Sequence, residues 1–151
     1  MAEPPDQVVL LRVIWWDRDY DQDELIASKV FPSDDLKSPR YISVDRNDLL
    51  SEAELRERLA SQRLRSEEKG DYSRKEARHG LLPCLEVRSL RYDANSSPYL
   101  KVWDASEGFY ASHCAIENIN ANPGRPSYNE IRRQLMEILK RHGVVNALVS
   151  P

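Results

Sequence analysis

The sequence predicts an α+β domain: a mainly antiparallel sheet of about five strands with two helices packed on one face. Three observations carry this expectation. An apolar run of β-branched and aromatic residues, Val8-Val9-Leu10-Leu11 and Val13-Ile14-Trp15-Trp16, stops abruptly at Asp17-Arg18-Asp19-Tyr20-Asp21-Gln22-Asp23-Glu24. Two capping boxes, Ser51-Glu52-Ala53-Glu54 and Ser127-Tyr128-Asn129-Glu130, each announce a helix. Between and around them lie short apolar stretches bounded by turn formers.

Taken in order, the first run is too short to cross a membrane, which needs about twenty apolar residues, and reads as a strand covered on both faces. Leu25-Ile26-Ala27-Ser28-Lys29-Val30-Phe31 reads as a second strand, a hairpin partner across the acidic loop, ended by Pro32-Ser33-Asp34-Asp35. Residues 40–45 alternate polar and apolar with period two, as a half-buried strand does. The first capping box opens a helix to about Arg65, with Glu52 and Arg56, and Glu54 and Arg58, spaced as i,i+4 pairs. Leu49, Ala53, Ala60 and Leu64 supply its expected core stripe.

The 66–80 segment, Ser-Glu-Glu-Lys-Gly-Asp-Tyr-Ser-Arg-Lys-Glu-Ala-Arg-His-Gly, is poor in large apolar residues and reads as a mobile charged loop. Residues 85–92 and 99–103 flank a turn-rich stretch and read as a hairpin, and 110–116 as a further strand. Residues 118–126, with Asn-Pro-Gly-Arg-Pro, form a connection. In the last helix Ile131, Leu135, Ile138 and Leu139 make the buried stripe and Gly143 stands where a left-handed cap ends it. The 144–151 tail is apolar enough to pair as a strand, in this chain or on a second copy.

Length and composition bound the rest. A chain of 151 residues, 40% hydrophobic, fits one domain with a real core. The formal charge of −3 gives no global field drawing it to nucleic acid or anionic lipid. The acidity sits in the first third, where residues 1–50 hold eleven acids and six bases. With neither a basic start nor an apolar leader, the expected location is the cytoplasm, where Cys84 and Cys114 are expected as core thiols rather than a disulfide.

Candidate chemistry is sparse. Asp17, Asp19, Asp21 and Asp23 alternate like calcium ligands, but Gln22 and Ser28 stand where an EF-hand loop wants Gly and Glu, so a solvated acidic loop or a site greeting a basic partner is the expectation and no metal is assigned. His113 beside Cys114 invites a thiol–imidazole dyad, which strand alternation opposes. Zinc held by His79, Cys84, His113 and Cys114 lacks the usual spacing. Glu86-Val87-Arg88 with Asp71 or Asp104 resembles the carboxylate set of metal-dependent nucleases, except that arginine occupies the lysine position and cannot exchange a proton. His113, Glu86 and Asp104 are therefore the catalytic candidates. With five glycines, none in a phosphate-loop pattern, no nucleotide motif and no cofactor are expected. Arg132, Arg133, Lys140 and Arg141 on the last helix could follow a phosphate backbone, although Glu130 and Glu137 interrupt that face.

Ala27-Ser28-Lys29-Val30-Phe31, Ile42-Ser43-Val44-Asp45-Arg46, Ser112-His113-Cys114-Ala115-Ile116 and Arg132-Arg133-Gln134-Leu135 resemble, in that order, a pattern in short bacterial proteins of unassigned activity. That family shows a Pro-Ala-His-Ala-like segment where this chain has Ser-His-Cys-Ala. The resemblance implies a bacterial accessory protein of defence or mobile-element gene clusters and carries no reaction.

The functional expectation is a non-enzymatic binding or regulatory module. It would recognise a protein partner through Asp17, Asp19, Asp21 and Asp23 and through Lys69, Arg74, Lys75 and Arg78, with a homodimer formed through the tail. The alternatives are a metal-dependent nuclease or other hydrolase, and a nucleic-acid-binding protein without catalysis.

Overall fold

A six-stranded, wholly antiparallel open sheet organises the chain, in the order β6-β7-β4-β1-β5-β8, as seen in a computed structural model that describes residues 2–21, 24–120 and 127–146. Its strands are β1 (Val9–Trp15), β4 (Ile42–Arg46), β5 (Ala77–Pro83), β6 (Leu100–Asp104), β7 (His113–Asn118) and β8 (Val144–Asn146). A small ribbon, β2 (Tyr20–Asp21) with β3 (Glu24–Leu25), stands apart. Two long helices, α3 (Glu52–Glu68) and α5 (Tyr128–His142), accompany three short ones, α1 (Trp16–Asp19), α2 (Ala27–Val30) and α4 (Cys84–Arg88).

The two long helices lie on opposite faces of the sheet, which corrects the expectation of both on one. Alternation along each strand sorts the side chains. Leu10, Ile14, Ile42, Val44, Leu82, Val102, Cys114 and Ile116 form the main core with Ile131, Leu135, Ile138 and Leu139 of α5. The other face carries Trp15 and Ala77, which meet Leu55 and Leu59 of α3 in a separate, smaller core. A central strand packed on both sides needs apolar residues at consecutive positions, which is why β1 is apolar at every position but Arg12.

Both serines cap their helices, since the Ser51 hydroxyl accepts from the Glu54 amide and the Ser127 hydroxyl from the Glu130 amide. Gly143 closes α5 at φ +90°, a conformation that disfavours any residue with a Cβ. The core stripe of α3 differs from the expected one: Leu55 and Leu59 are buried, while Leu64 and Leu49 are 58% and 44% exposed. The apolar contact of the helix with the sheet is narrow, made with Trp15 of β1 and Ala77 of β5.

Three further expectations are corrected. Residues 27–30 form α2 rather than a strand, and only Tyr20–Asp21 and Glu24–Leu25 pair across the acidic segment. Residues 84–88 form α4, so β6 pairs with β7 instead of completing a hairpin with 85–92. The 66–80 segment is no single loop: Ser66–Glu68 complete α3, and Ala77–Gly80 belong to β5, which pairs along all seven residues with β1. Within the tail, Val144–Asn146 pair with β5 of the same chain, and 147–151 lie outside the described residues. Among the described residues no helix is long and apolar enough to cross a membrane.

Candidate functional site: a basic cleft where the sheet opens

The sheet has one break in its pairing. β1 pairs with β4 only at Leu10 with Arg46 and Leu11 with Asp45, then follows β5 and leaves β4. The carbonyl oxygens exposed by this separation need donors. Arg12 supplies them: its Nη1 donates to the carbonyl of Ser43 at 2.8 Å and its Nε to that of Val30 at 3.1 Å, tying β1, β4 and α2 together across the gap. Burial holds the Arg12 guanidinium below the usual arginine range, partly opposed by Asp35 and Asp19.

Beside this wedge, roofed by the C-terminal half of α3 and by the 109–110 segment, lies a cleft of about 610 Å³. Its lining carries the cations Arg12, Arg18, Lys29 and Arg58, and further out Arg65, Lys69 and Arg74. Against these seven stand three acids, Asp19, Asp45 and Asp71, each already engaged. Asp19 accepts from the Trp15 amide at 2.8 Å and from Arg18 at 2.9 Å. Asp45 is gripped by Arg58 through two bonds of 2.7 and 2.8 Å and also accepts from the Ser112 hydroxyl at 2.8 Å. Asp71 accepts from Ser73 and Arg74, and the Ser73 bonds hold its carboxyl below the ordinary range. Lys29, Arg65 and Lys69 are exposed and have no acid within ion-pair distance among the described residues. The cleft wall is thus a surplus of positive charge in a protein that is acidic as a whole.

One side of the cleft continues into an aromatic surface. Phe109 is 67% exposed at its edge and its ring lies 4.9 Å from that of His113. The His113 ring is 5.9 Å from Tyr41, which in turn meets Trp103 edge-on at 5.3 Å. Tyr110 takes the Arg58 guanidinium on its face at 5.0 Å. His113 itself is fixed by its Nδ1, 2.9 Å from the Ala105 carbonyl, and turns Nε2 toward the Ser43 hydroxyl at 3.4 Å.

The residues singled out by sequence are distributed unevenly around this site. Asp19, Lys69, Arg74 and His113 line it. Asp19 is 2% exposed and internally bonded, so it belongs to the scaffold and not to a solvated acidic loop. Asp23 and the side chains of Asp17 and Asp21 lie outside what is described. Lys75 is exposed, and Arg78 stacks over the Trp16 ring at 3.6 Å.

The carboxylates of the hydrolase alternative are not gathered. Glu86 sits on α4 against Arg141 and His142 of α5, whereas His113 faces the cleft across the sheet. Asp104 caps the Ser106 amide at the end of β6, which depresses its carboxyl. No group of three or more His, Cys, Asp or Glu side chains able to hold a metal occurs among the described residues. Cys84 and Cys114 are both fully buried free thiols on the main core, and burial pushes Cys114 up to about 12.

The basic face of α5 is largely internally neutralised. Arg132 donates to the Phe31 carbonyl and the Ser33 hydroxyl, Arg133 pairs with Glu137, and Arg141 pairs with Glu86, while Lys140 is exposed. Sequence reasoning missed Arg12, Lys29, Ser43, Arg58 and Arg65 as site residues. Arg12 carried the one available signal, a lone charge inside an apolar run. Comparison with protein families, curated proteins and solved structures finds no match.

Proposed function

We propose that the protein binds a phosphate-bearing ligand in the cleft between β1, β4 and α3, and that the ligand is nucleotidic: a short single-stranded stretch of nucleic acid. The observation that supports the reading is the surplus of cations on the cleft wall, where Lys29, Arg65 and Lys69 are exposed with no acid within ion-pair distance among the described residues. Phosphate is the polyanion such a wall suits, because several cations neutralise several charges along one backbone. Phe109, 67% exposed and backed by His113, offers a face on which a base stacks regardless of sequence. The volume of about 610 Å³ matches ordinary ligand clefts, enough for one or two nucleotides with the remainder lying over the aromatic surface.

Fluorescence anisotropy of a labelled ten-nucleotide single strand, titrated with protein at several salt concentrations, tests the reading. Saturable binding that weakens with salt and with loss of Phe109 supports it; absence of binding at low salt overturns it. A second reading is an acidic protein segment in the same cleft. Exposed Tyr72 and Lys75, in the same stretch of chain as the lining residues Asp71 and Arg74, favour it, and competition by a polyglutamate peptide would exceed that by the oligonucleotide.

A further inference from the structure

We propose that Ser43 and His113 form a nucleophile and base pair that cleaves phosphodiesters bound in the cleft; the substrate class rests on the nucleotidic reading above. Four features of the geometry carry the proposal. First, the tautomer of the imidazole is fixed. His113 Nδ1 lies 2.9 Å from the Ala105 carbonyl, an oxygen that can only accept, so Nδ1 carries the proton and Nε2 of the neutral ring presents a lone pair. Second, that lone pair faces the Ser43 hydroxyl at 3.4 Å, the looser range common for catalytic pairs without substrate. Third, the ring has little freedom, being held between Phe109 and Tyr41 with the β7 backbone paired to β4 at Asp45. Fourth, both side chains face the cleft, with Ser43 exposed on an otherwise buried strand, and the Arg12 guanidinium is bonded to the carbonyl of Ser43 itself.

The separation of β1 from β4 is what allows this arrangement. Had pairing continued past Leu11, the Ser43 carbonyl would be satisfied by β1 and Arg12 would not be drawn to it. Instead, a nucleophile and a base whose other nitrogen is oriented meet beside the gap that Arg12 bridges.

The chemistry balances with water as the co-reactant. Ser43 Oγ attacks phosphorus as its proton passes to His113 Nε2; the phosphorus–oxygen bond to the leaving alcohol breaks, and His113 returns the proton to that oxygen. Water then attacks the phosphoseryl diester, giving its proton to His113. The bond from phosphorus to Ser43 Oγ breaks, and His113 reprotonates the hydroxyl. The net change is one diester and one water converted to an alcohol and a phosphomonoester.

The test uses the full chain in EDTA with bis(4-nitrophenyl) phosphate, read as nitrophenolate release, alongside the anisotropy measurement of oligonucleotide binding. Wild type is expected to turn over, and Ser43→Ala and His113→Gln to lose on the order of 100-fold or more. Peptide mass spectrometry of a reaction quenched early is expected to find a phosphoryl adduct on Ser43. Because Ser43 is exposed, Ser43→Ala is expected to melt as wild type does and to keep oligonucleotide affinity within about threefold, so loss of turnover in it is not loss of fold. Wild-type binding without turnover, or turnover undiminished in Ser43→Ala, overturns the pair and leaves the binding reading standing. Absence of both binding and turnover overturns the two together.

Discussion

Neutralising Lys29, Arg65 and Lys69 together should nearly abolish the salt dependence of oligonucleotide binding without unfolding the protein. Of the seven lining cations, Arg12, Arg18, Arg58 and Arg74 each stand within ion-pair distance of an acid, and Lys29, Arg65 and Lys69 are the exposed ones with no acid partner among the described residues. For a single strand, each neutralised phosphate contributes about −0.7 to the slope of log affinity against log salt, so these three give a slope of about −2.1 and their loss leaves it near zero. Between 50 and 200 mM salt, wild type should then lose roughly 20-fold in affinity and the triple alanine variant almost nothing. The assay is anisotropy at four salt concentrations, with Tm recorded for each protein. Arg133→Ala with Lys140→Ala is the matched control on α5, where Arg133 already pairs with Glu137, and its slope should change by less than one unit. Equal slopes for wild type and the triple variant, or a slope lost only in the α5 control, would refute the placement of the ligand in the cleft.

Other outcomes follow from the same structure. Asp45→Asn should destabilise by about 3 kcal/mol, lowering Tm by roughly 6–12 °C, because it leaves Arg58 without its buried two-bond partner; thermal melting reads it. Gly80→Ala should cost about 1–3 kcal/mol in urea unfolding, since the new methyl would lie 2.6 Å from Leu139 Cδ2 and 2.9 Å from Ile14 Cδ1, both packed between β5 and α5. His79 is held below its ordinary value chiefly by burial, so the unfolded chain binds its proton more readily. Stability should therefore fall as pH drops through about 6.5 toward the folded value, and His79→Phe should flatten that slope in melting between pH 7.5 and 5. Cys84 and Cys114, both raised by burial, should resist a thiol reagent at pH 8 until denaturant is added.

The elements legible in the sequence are those whose signals are local. A serine hydroxyl facing an amide three residues on, and a glycine free of a Cβ at φ +90°, act within one turn of chain, so both long helices and the end of α5 could be read directly. The apolar residues on either side of Arg12 in β1 likewise announced a strand with neighbours on both faces. Short apolar stretches misled for a stated reason: 27–30 and 84–88 are each a single helical turn, below the length at which helix and strand periods diverge. The 77–80 segment looked too polar for a central strand because its charges find partners only in three dimensions. Arg78 lies on the Trp16 ring, and Gly80 makes room for Leu139.

What the sequence by itself determined is therefore an α+β chain with a securely placed terminal helix, two buried thiols and a histidine in a strand. Only the tertiary structure decided that α3 and α5 take opposite faces, that β1 leaves β4 after Leu11, and that Arg12, Lys29, Ser43, Arg58, Arg65 and His113 come to one cleft. These residues come from five separate stretches of chain. Their convergence depends on strand order and on where pairing stops, which are non-local properties that no residue spacing encodes.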